Sequence, residues 1–230
     1  NPFQTSWGLS TRSIGGLILT HGDDAGLVLP PKVASIQVVI LPLSDKDEDR
    51  QKEIIDYANE VAAELKKVGI LVKVDTRTDL GFGNRVNEYE LKGIPLRLEI
   101  GGKELENREV KYARRDNFQK DLVSFDGVSI FALGALEDIQ NGLLAKSKEL
   151  KESFTKDAND FDTYKNILEN ERALVRVFWC EEAVCEKDIK DETKSVSRCL
   201  PLENVDMKED VKCFHCGKPA KRKWLFGQAY

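Results

Sequence analysis

The run Ile36-Gln37-Val38-Val39-Ile40-Leu41 is almost wholly apolar, and a strand of that kind is buried on both faces, as at the centre of an α/β sheet. Its sequel narrows the choices further. Ile54, Ala58, Val61, Leu65 and Val68 recur at spacings of four and three, which lines them along one helix face. Gly69 is placed to end that helix, and Ile70-Leu71-Val72-Lys73-Val74 reads as the next strand. A short helix over 86–92, a strand over 95–100 and a longer helix over 131–150 continue the alternation. Strand and helix in turn predict a sheet flanked by helices, with right-handed crossovers and a mixed but mostly parallel order.

Three zones follow from composition. Residues 1–34 are rich in Gly, Ser, Thr and apolar side chains, residues 35–150 carry the α/β pattern, and residues 151–230 are strongly charged up to a cysteine-bearing tail. The tail is expected to form a small α+β domain. It opens on a helix near 160–170 with Phe161, Tyr164, Ile167 and Leu168 as its buried stripe, then a strand over 173–179, with an exposed helix or loop at 188–197. The net charge of -5 disfavours a general polyanion binder, so any nucleic-acid contact must use local basic patches. No apolar run reaches the ~20 residues that span a bilayer. Five cysteines with no secretory signal predict thiolate or metal chemistry in a reducing cytoplasm. The first residue is not Met, and a piece of a longer protein is expected.

Cys180-x4-Cys185 and Cys213-x2-Cys216 are two chelating pairs, and two such pairs complete a tetrahedral thiolate shell for Zn2+. Four thiolates leave no open position, so the predicted metal is structural and its binding energy is folding energy. Two alternatives stand beside this: plain reduced thiols, or His215 in place of one cysteine. Cys199 lacks a near partner and reads as a small buried hydrophobe.

At the N-terminus, Gln4-Thr5-Ser6-Trp7-Gly8-Leu9 alternates polar and apolar residues, as a strand does, with Gly8 allowing close approach of a ligand. Ser10 can cap a helix whose first turn holds Arg12, and a guanidinium beside a helix N-terminus suits a triphosphate or adenylate. The run Gln4-Thr-Ser-Trp-Gly-Leu-Ser-Thr-Arg12-Ser-Ile-Gly with His21-Gly-Asp-Asp-x-Gly26-Leu-Val-Leu-Pro-Pro31 closely resembles the motif 3 region of prolyl-tRNA synthetases, of the eukaryotic and archaeal type. The resemblance continues through Trp179-Cys180-Glu181, Cys213-Phe-x-Cys216-Gly-Lys-Pro-Ala and the final Phe-Gly-x-Ala-Tyr230.

The resemblance implies a class IIa synthetase that activates proline with ATP and Mg2+ and transfers it to tRNA(Pro). Residues 1–34 would end the catalytic domain, 35–150 would bind the anticodon and 151–230 would be the zinc domain. Arg12 would be the motif 3 arginine on ATP. Gln4, Ser6, Trp7 and Gly8 would line the adenylate and proline pocket, with Ser10 near the nucleotide. Glu90, Lys103 and Lys120 would read the anticodon guanines, whose splayed bases expose their edges. Arg85, Arg114 and Arg115 would add backbone attraction and stacking. A homodimer is implied for the intact enzyme, its interface mainly in the catalytic part. Motifs 1 and 2 are not in this sequence, so the chain alone is expected to be inactive. The competing function is a non-catalytic tRNA-binding or regulatory paralogue, against which the retention of residues 4–12 argues.

Overall fold

The computed structural model describes residues 4–206 and 210–228, so the Tyr230 end of the last motif lies outside the described residues. The chain divides into two units, Asn1–Ser147 and Lys148–Tyr230. The first contains α1 (Arg12–His21), β1 (Val38–Pro42), α2 (Glu48–Lys67), β2 (Val72–Val74), α3 (Phe82–Leu91), β3 (Leu96–Ile100), α4 (Gly102–Asn107), β4 (Glu109–Arg114), β5 (Lys120–Ser124) and most of α5 (Val128–Ser153).

Its sheet has the order β2-β1-β3-β4-β5. β1 pairs parallel with β2 and β3, whereas β3/β4 and β4/β5 are antiparallel. The expectation of a mostly parallel sheet is therefore corrected to an even mixture. The reason is local: only residues 115–119 separate β4 from β5, and a link that short permits antiparallel pairing alone.

The apolar run around β1 is buried on both faces. Val38 and Ile40 join Ile54, Ala58, Val61 and Leu65 of α2 and Ala132 and Leu136 of α5 in one cluster. Val39 and Leu41 face the opposite way, onto Tyr89 of α3 and Ile94. Asp47 starts α2 by accepting from the backbone N–H groups of Asp49 and Arg50. Val68, expected on the buried face, is instead 41 % exposed, because the helix has already ended there and Gly69 turns away at φ 81°.

The second unit holds β6 (Thr155–Asp157), α6 (Phe161–Asn170), β7 (Leu174–Trp179), α7 (Ala183–Thr193), β8 (Ser195–Cys199) and β9 (Arg222–Gln228). Its sheet runs β6-β7-β9-β8, parallel at β6/β7 and antiparallel at the other two pairings. Both sheets are thus mixed and flanked by helices. Residues 188–197, expected to be exposed, are so on one side only: Asp188, Lys190, Asp191, Glu192 and Lys194 are exposed, whereas Ile189 and Ser195 are fully buried, Ile189 in the core with Tyr164, Trp179 and Phe226. Cys199 is exposed rather than buried, at the end of β8. Among the described residues, no helix is long and apolar enough to cross a membrane.

Candidate functional site

α3 ends against β3 and β4, and a small crevice opens there between Tyr89, Glu90, Ile94, Arg97, Ala113, Arg114 and Arg115. Glu90 sits in its wall with its carboxylate partly exposed. Arg97, buried in the central strand β3, donates from Nη1 to Glu90 Oε1 at 2.7 Å and from Nε to Glu99 Oε1 at 3.0 Å. The carboxylate is therefore oriented by a buried guanidinium while it stays open to a ligand. Arg97 and Glu99 were not singled out from sequence. Their spacing of two in a strand, which puts both on one face, is the signal that could have found them.

Arg115 supports the same crevice from beneath. Only 3 % exposed, it donates to both oxygens of Asp23 at 2.8 and 2.5 Å, and from Nε to the Glu90 backbone carbonyl at 3.0 Å. Its expected contact with RNA is corrected: the residue is buried, and each of its three guanidinium nitrogens donates a hydrogen bond inside the protein. Asp23 is held below the usual carboxylate range by that hydrogen bonding. Arg114 is tied in bidentate fashion to Asp116 at 3.0 and 2.9 Å.

Arg85 requires the same correction. It is buried at 2 % exposure and donates to the carbonyls of Asp75 and Pro42 at 2.8 and 2.9 Å. Those carbonyls lie where β2 and β1 end, so the cation satisfies strand ends that the ladder leaves open. Beside it Arg77 grips both oxygens of Asp75 at 2.9 and 2.8 Å and reaches Glu88 at 2.8 Å. Arg77 lowers the Asp75 carboxyl to about 2.

Lys103 and Lys120 are both exposed. Lys103 stands in the first turn of α4, directly past the C-terminal end of β3. β1 has β2 on one side and β3 on the other, which makes the rim between β1 and β3 the switch point where α/β sheets bind ligands. Lys120 begins the edge strand β5. Glu90, Lys103 and Lys120 lie on three different elements of this one unit.

Residues 4–10 adopt no strand. Alternation alone does not make one, because strand N–H and C=O groups need a neighbouring strand. Gln4, Ser6, Trp7, Gly8 and Ser10 are exposed, Trp7 at 95 %. Ser10 does not cap α1: the N-cap is Thr11, without a side-chain bond, and the Ser10 carbonyl accepts from Ser13. Arg12 is exposed as the first residue of α1, whose apolar Ile14, Ile18 and Leu19 are exposed with it.

In the second unit Cys180, Cys185, Cys213 and Cys216 converge, their sulfurs all within 4.8 Å of one another. Cys180 follows β7, Cys185 lies in the first turn of α7, and Cys213 and Cys216 flank a tight turn before β9. The Cys180–Cys216 and Cys185–Cys213 separations are 3.6 and 3.9 Å. Four ligands at ~2.3 Å in tetrahedral array stand roughly 3.8 Å apart, so the donor set fits Zn2+. Burial pushes the Cys180 thiol up to about 11 and raises Cys185 as well. His215 stands outside the four-sulfur set, its Nδ1 3.3 Å from Cys185 Sγ and its ring edge-on to Phe161. Glu181, part of the Trp179-Cys180-Glu181 motif but given no role from sequence, anchors the site by accepting from Arg222 at 2.7 and 2.8 Å and from Trp224 Nε1 at 2.9 Å.

Comparison with known proteins accords with this arrangement. The family described as "Anticodon binding domain" matches residues 37–131, and "Prolyl-tRNA synthetase, C-terminal" matches residues 161–230. "Proline–tRNA ligase 2" of Clostridioides difficile is 39% identical over 230 residues, covering 100% of this chain and 47% of its own length. "Proline–tRNA ligase" of Flavobacterium johnsoniae is 41% identical over 226 residues, covering 98% and 45%. The structure of prolyl-tRNA synthetase from Cryptosporidium parvum complexed with halofuginone and AMPPNP superposes with a TM-score of 0.87 at 39% identity, over 97% of this chain and 47% of that one. The same enzyme complexed with L-proline and AMP gives 0.86 at 40% identity, with the same coverage. The chain thus spans about half the length of the relatives it matches. Residues 37–131 are thus similar to anticodon-binding domains, and residues 161–230 to the C-terminal domain of prolyl-tRNA synthetases.

Proposed function

We propose that the chain is the C-terminal part of a proline–tRNA ligase of the eukaryotic and archaeal type, and that the intact protein joins proline to tRNA(Pro) with ATP and Mg2+. The observation that carries this reading is the likeness to proline–tRNA ligases along the whole chain, at 39% identity over 230 residues. Residues 1–34 would close the catalytic domain, 35–150 inspect the anticodon and 151–230 form a zinc-stabilised domain. The intact enzyme would be a cytoplasmic homodimer.

Each part has a physical role in this scheme. Glu90 accepts from the amino and imino groups of a guanine, its aim set by Arg97. Lys103 and Lys120, exposed beside the switch point and on the sheet edge, donate to base acceptors or phosphates. Arg12, exposed at the start of α1, offers a fixed positive charge to ATP phosphates, with residues 4–10 beside it. The four cysteines hold Zn2+ as a structural tie between β7, α7 and the turn before β9, leaving no position for substrate.

ATP–pyrophosphate exchange by the intact gene product, with proline against threonine, tests the activity. Absence of exchange with proline overturns the ligase reading. Within that enzyme Lys103→Ala is expected to weaken tRNA(Pro) binding about tenfold, the loss of one base or phosphate contact, and to leave proline activation unchanged. Equal loss in both assays would remove Lys103 from anticodon recognition.

A further inference from the structure

Four described residues other than glycine have positive φ: Arg108, Phe118, Glu181 and Lys194. Arg108 and Lys194 are the left-handed C-caps of α4 and α7, and Glu181 is held by Arg222 and Trp224. Phe118 owes its φ to a turn: it follows Asn117, whose Oδ1 accepts from the Gln119 N–H at 2.9 Å, and what sets it apart is that a large aromatic residue holds this position. It lies at φ 58° in the link between β4 and β5, with 47 % of its surface exposed.

A bulky L-residue in the left-handed region is strained, and Gly or Asn takes that conformation at lower cost. Asn117 is the adjacent residue, yet the left-handed position falls to the aromatic ring. Burial does not compensate, because half the residue faces solvent. One face of the ring is supported: the buried Arg115 guanidinium stands 5.2 Å from its centroid. That guanidinium also holds the Glu90 backbone carbonyl at 3.0 Å, so the ring and the residue assigned to guanine share one rigid support. Lys120, two residues on, is exposed on the same hairpin.

From this geometry we infer that Phe118 is a stacking platform for an unpaired base of the RNA loop whose neighbouring base edge Glu90 reads. The inference rests on the anticodon reading given above. The backbone strain holds the ring out from the hairpin, Arg115 keeps it flat from below, and an aromatic face takes any base without reading its edge. Phe118 supplies affinity and register; discrimination stays with Glu90 and Lys103.

The test titrates an anticodon stem-loop of tRNA(Pro), carrying 2-aminopurine next to the guanines, against the full chain and its Phe118→Ala, Phe118→Gly, Phe118→Trp and Lys103→Ala variants. Phe118→Ala and Phe118→Gly are expected to raise Kd about tenfold and to abolish quenching of the probe, as loss of one base stack requires. Phe118→Trp is expected to restore both. Thermal unfolding is expected to show Phe118→Gly at least as stable as the unsubstituted chain, since it removes the strain. Binding unchanged in Phe118→Gly, beside weakened binding in Lys103→Ala, overturns the platform alone. A destabilised Phe118→Gly whose binding recovers at low temperature makes the ring structural and also overturns it. Failure of the unsubstituted chain to bind the stem-loop, or its equal binding of a loop without the guanines, overturns the anticodon reading itself.

Discussion

At the scale of single residues, the arginines of the first unit divide by burial rather than by charge. Arg85 is fully enclosed, and its expected role at RNA is replaced by one at the ends of β1 and β2. Arg85→Ala strands two carbonyls and leaves a void, so it should cost about 3 kcal/mol in denaturant unfolding. A variant as stable as the parent but weaker toward tRNA would restore Arg85 to the interface. Asp75 makes a complementary prediction about pH. Its carboxyl falls from 3.8 to about 2 in the folded state through the side-chain bonds from Arg77. The folded value lies below the unfolded one, so the pair stabilises the fold above pH ~4 and this support is lost as the pH falls towards 2. The contribution is ~2 kcal/mol, and Asp75→Asn should flatten stability against pH in that window. An unchanged acid slope in that variant would show that Arg77 does not hold the carboxylate.

At the scale of elements, the crevice depends on where α3 stops and how the preceding loop meets it. Gly93, at φ 70°, ends the turn after α3, and a Cβ there would strike the Leu27 carbonyl. Gly26, at φ 128°, faces Leu91, where a Cβ would lie 2.7 Å from its Cα. These contacts seat the loop that carries Asp23 against the end of α3. Gly93→Ala should therefore destabilise the first unit by at least ~2 kcal/mol and weaken stem-loop binding through misplaced Glu90 and Arg115. Wild-type stability in that variant, measured by urea unfolding, would show that the loop yields without cost. β1 was legible from its own residues because a strand covered on both faces has a continuous apolar pattern. β4, β5 and β9 were not, because antiparallel and edge strands mix charged residues with apolar ones. The strand expected over residues 4–9 failed for the converse reason, having a pattern but no neighbour to pair with.

For the molecule as a whole, the two units have different sources of stability. The first rests on an apolar core that includes α2, α5 and the central strands. The second packs a smaller core directly against its cysteines, with Cys180, Cys185 and Cys213 counted among the buried residues. About one zinc per chain is expected on metal analysis. Chelation is expected to abolish hydrogen-exchange protection across residues 148–206 and 210–228 while residues 38–128 keep theirs, because zinc held by the four cysteines would supply folding energy to the second unit alone. Protein free of zinc with full protection in both units would dismiss the metal's structural role.

Periodicity and spacing were enough to place β1, the helix packed on it and the two cysteine pairs, because each is a local pattern with one physical solution. Resemblance along the chain pointed to the family. What the arginines do was decided only by the fold. Arg85, Arg97 and Arg115 carry the same charge as Arg12, but whether a guanidinium meets a backbone carbonyl, a carboxylate or open solvent depends on residues as far off as 92 positions in the chain. Such distant partners leave no periodic trace in a sequence.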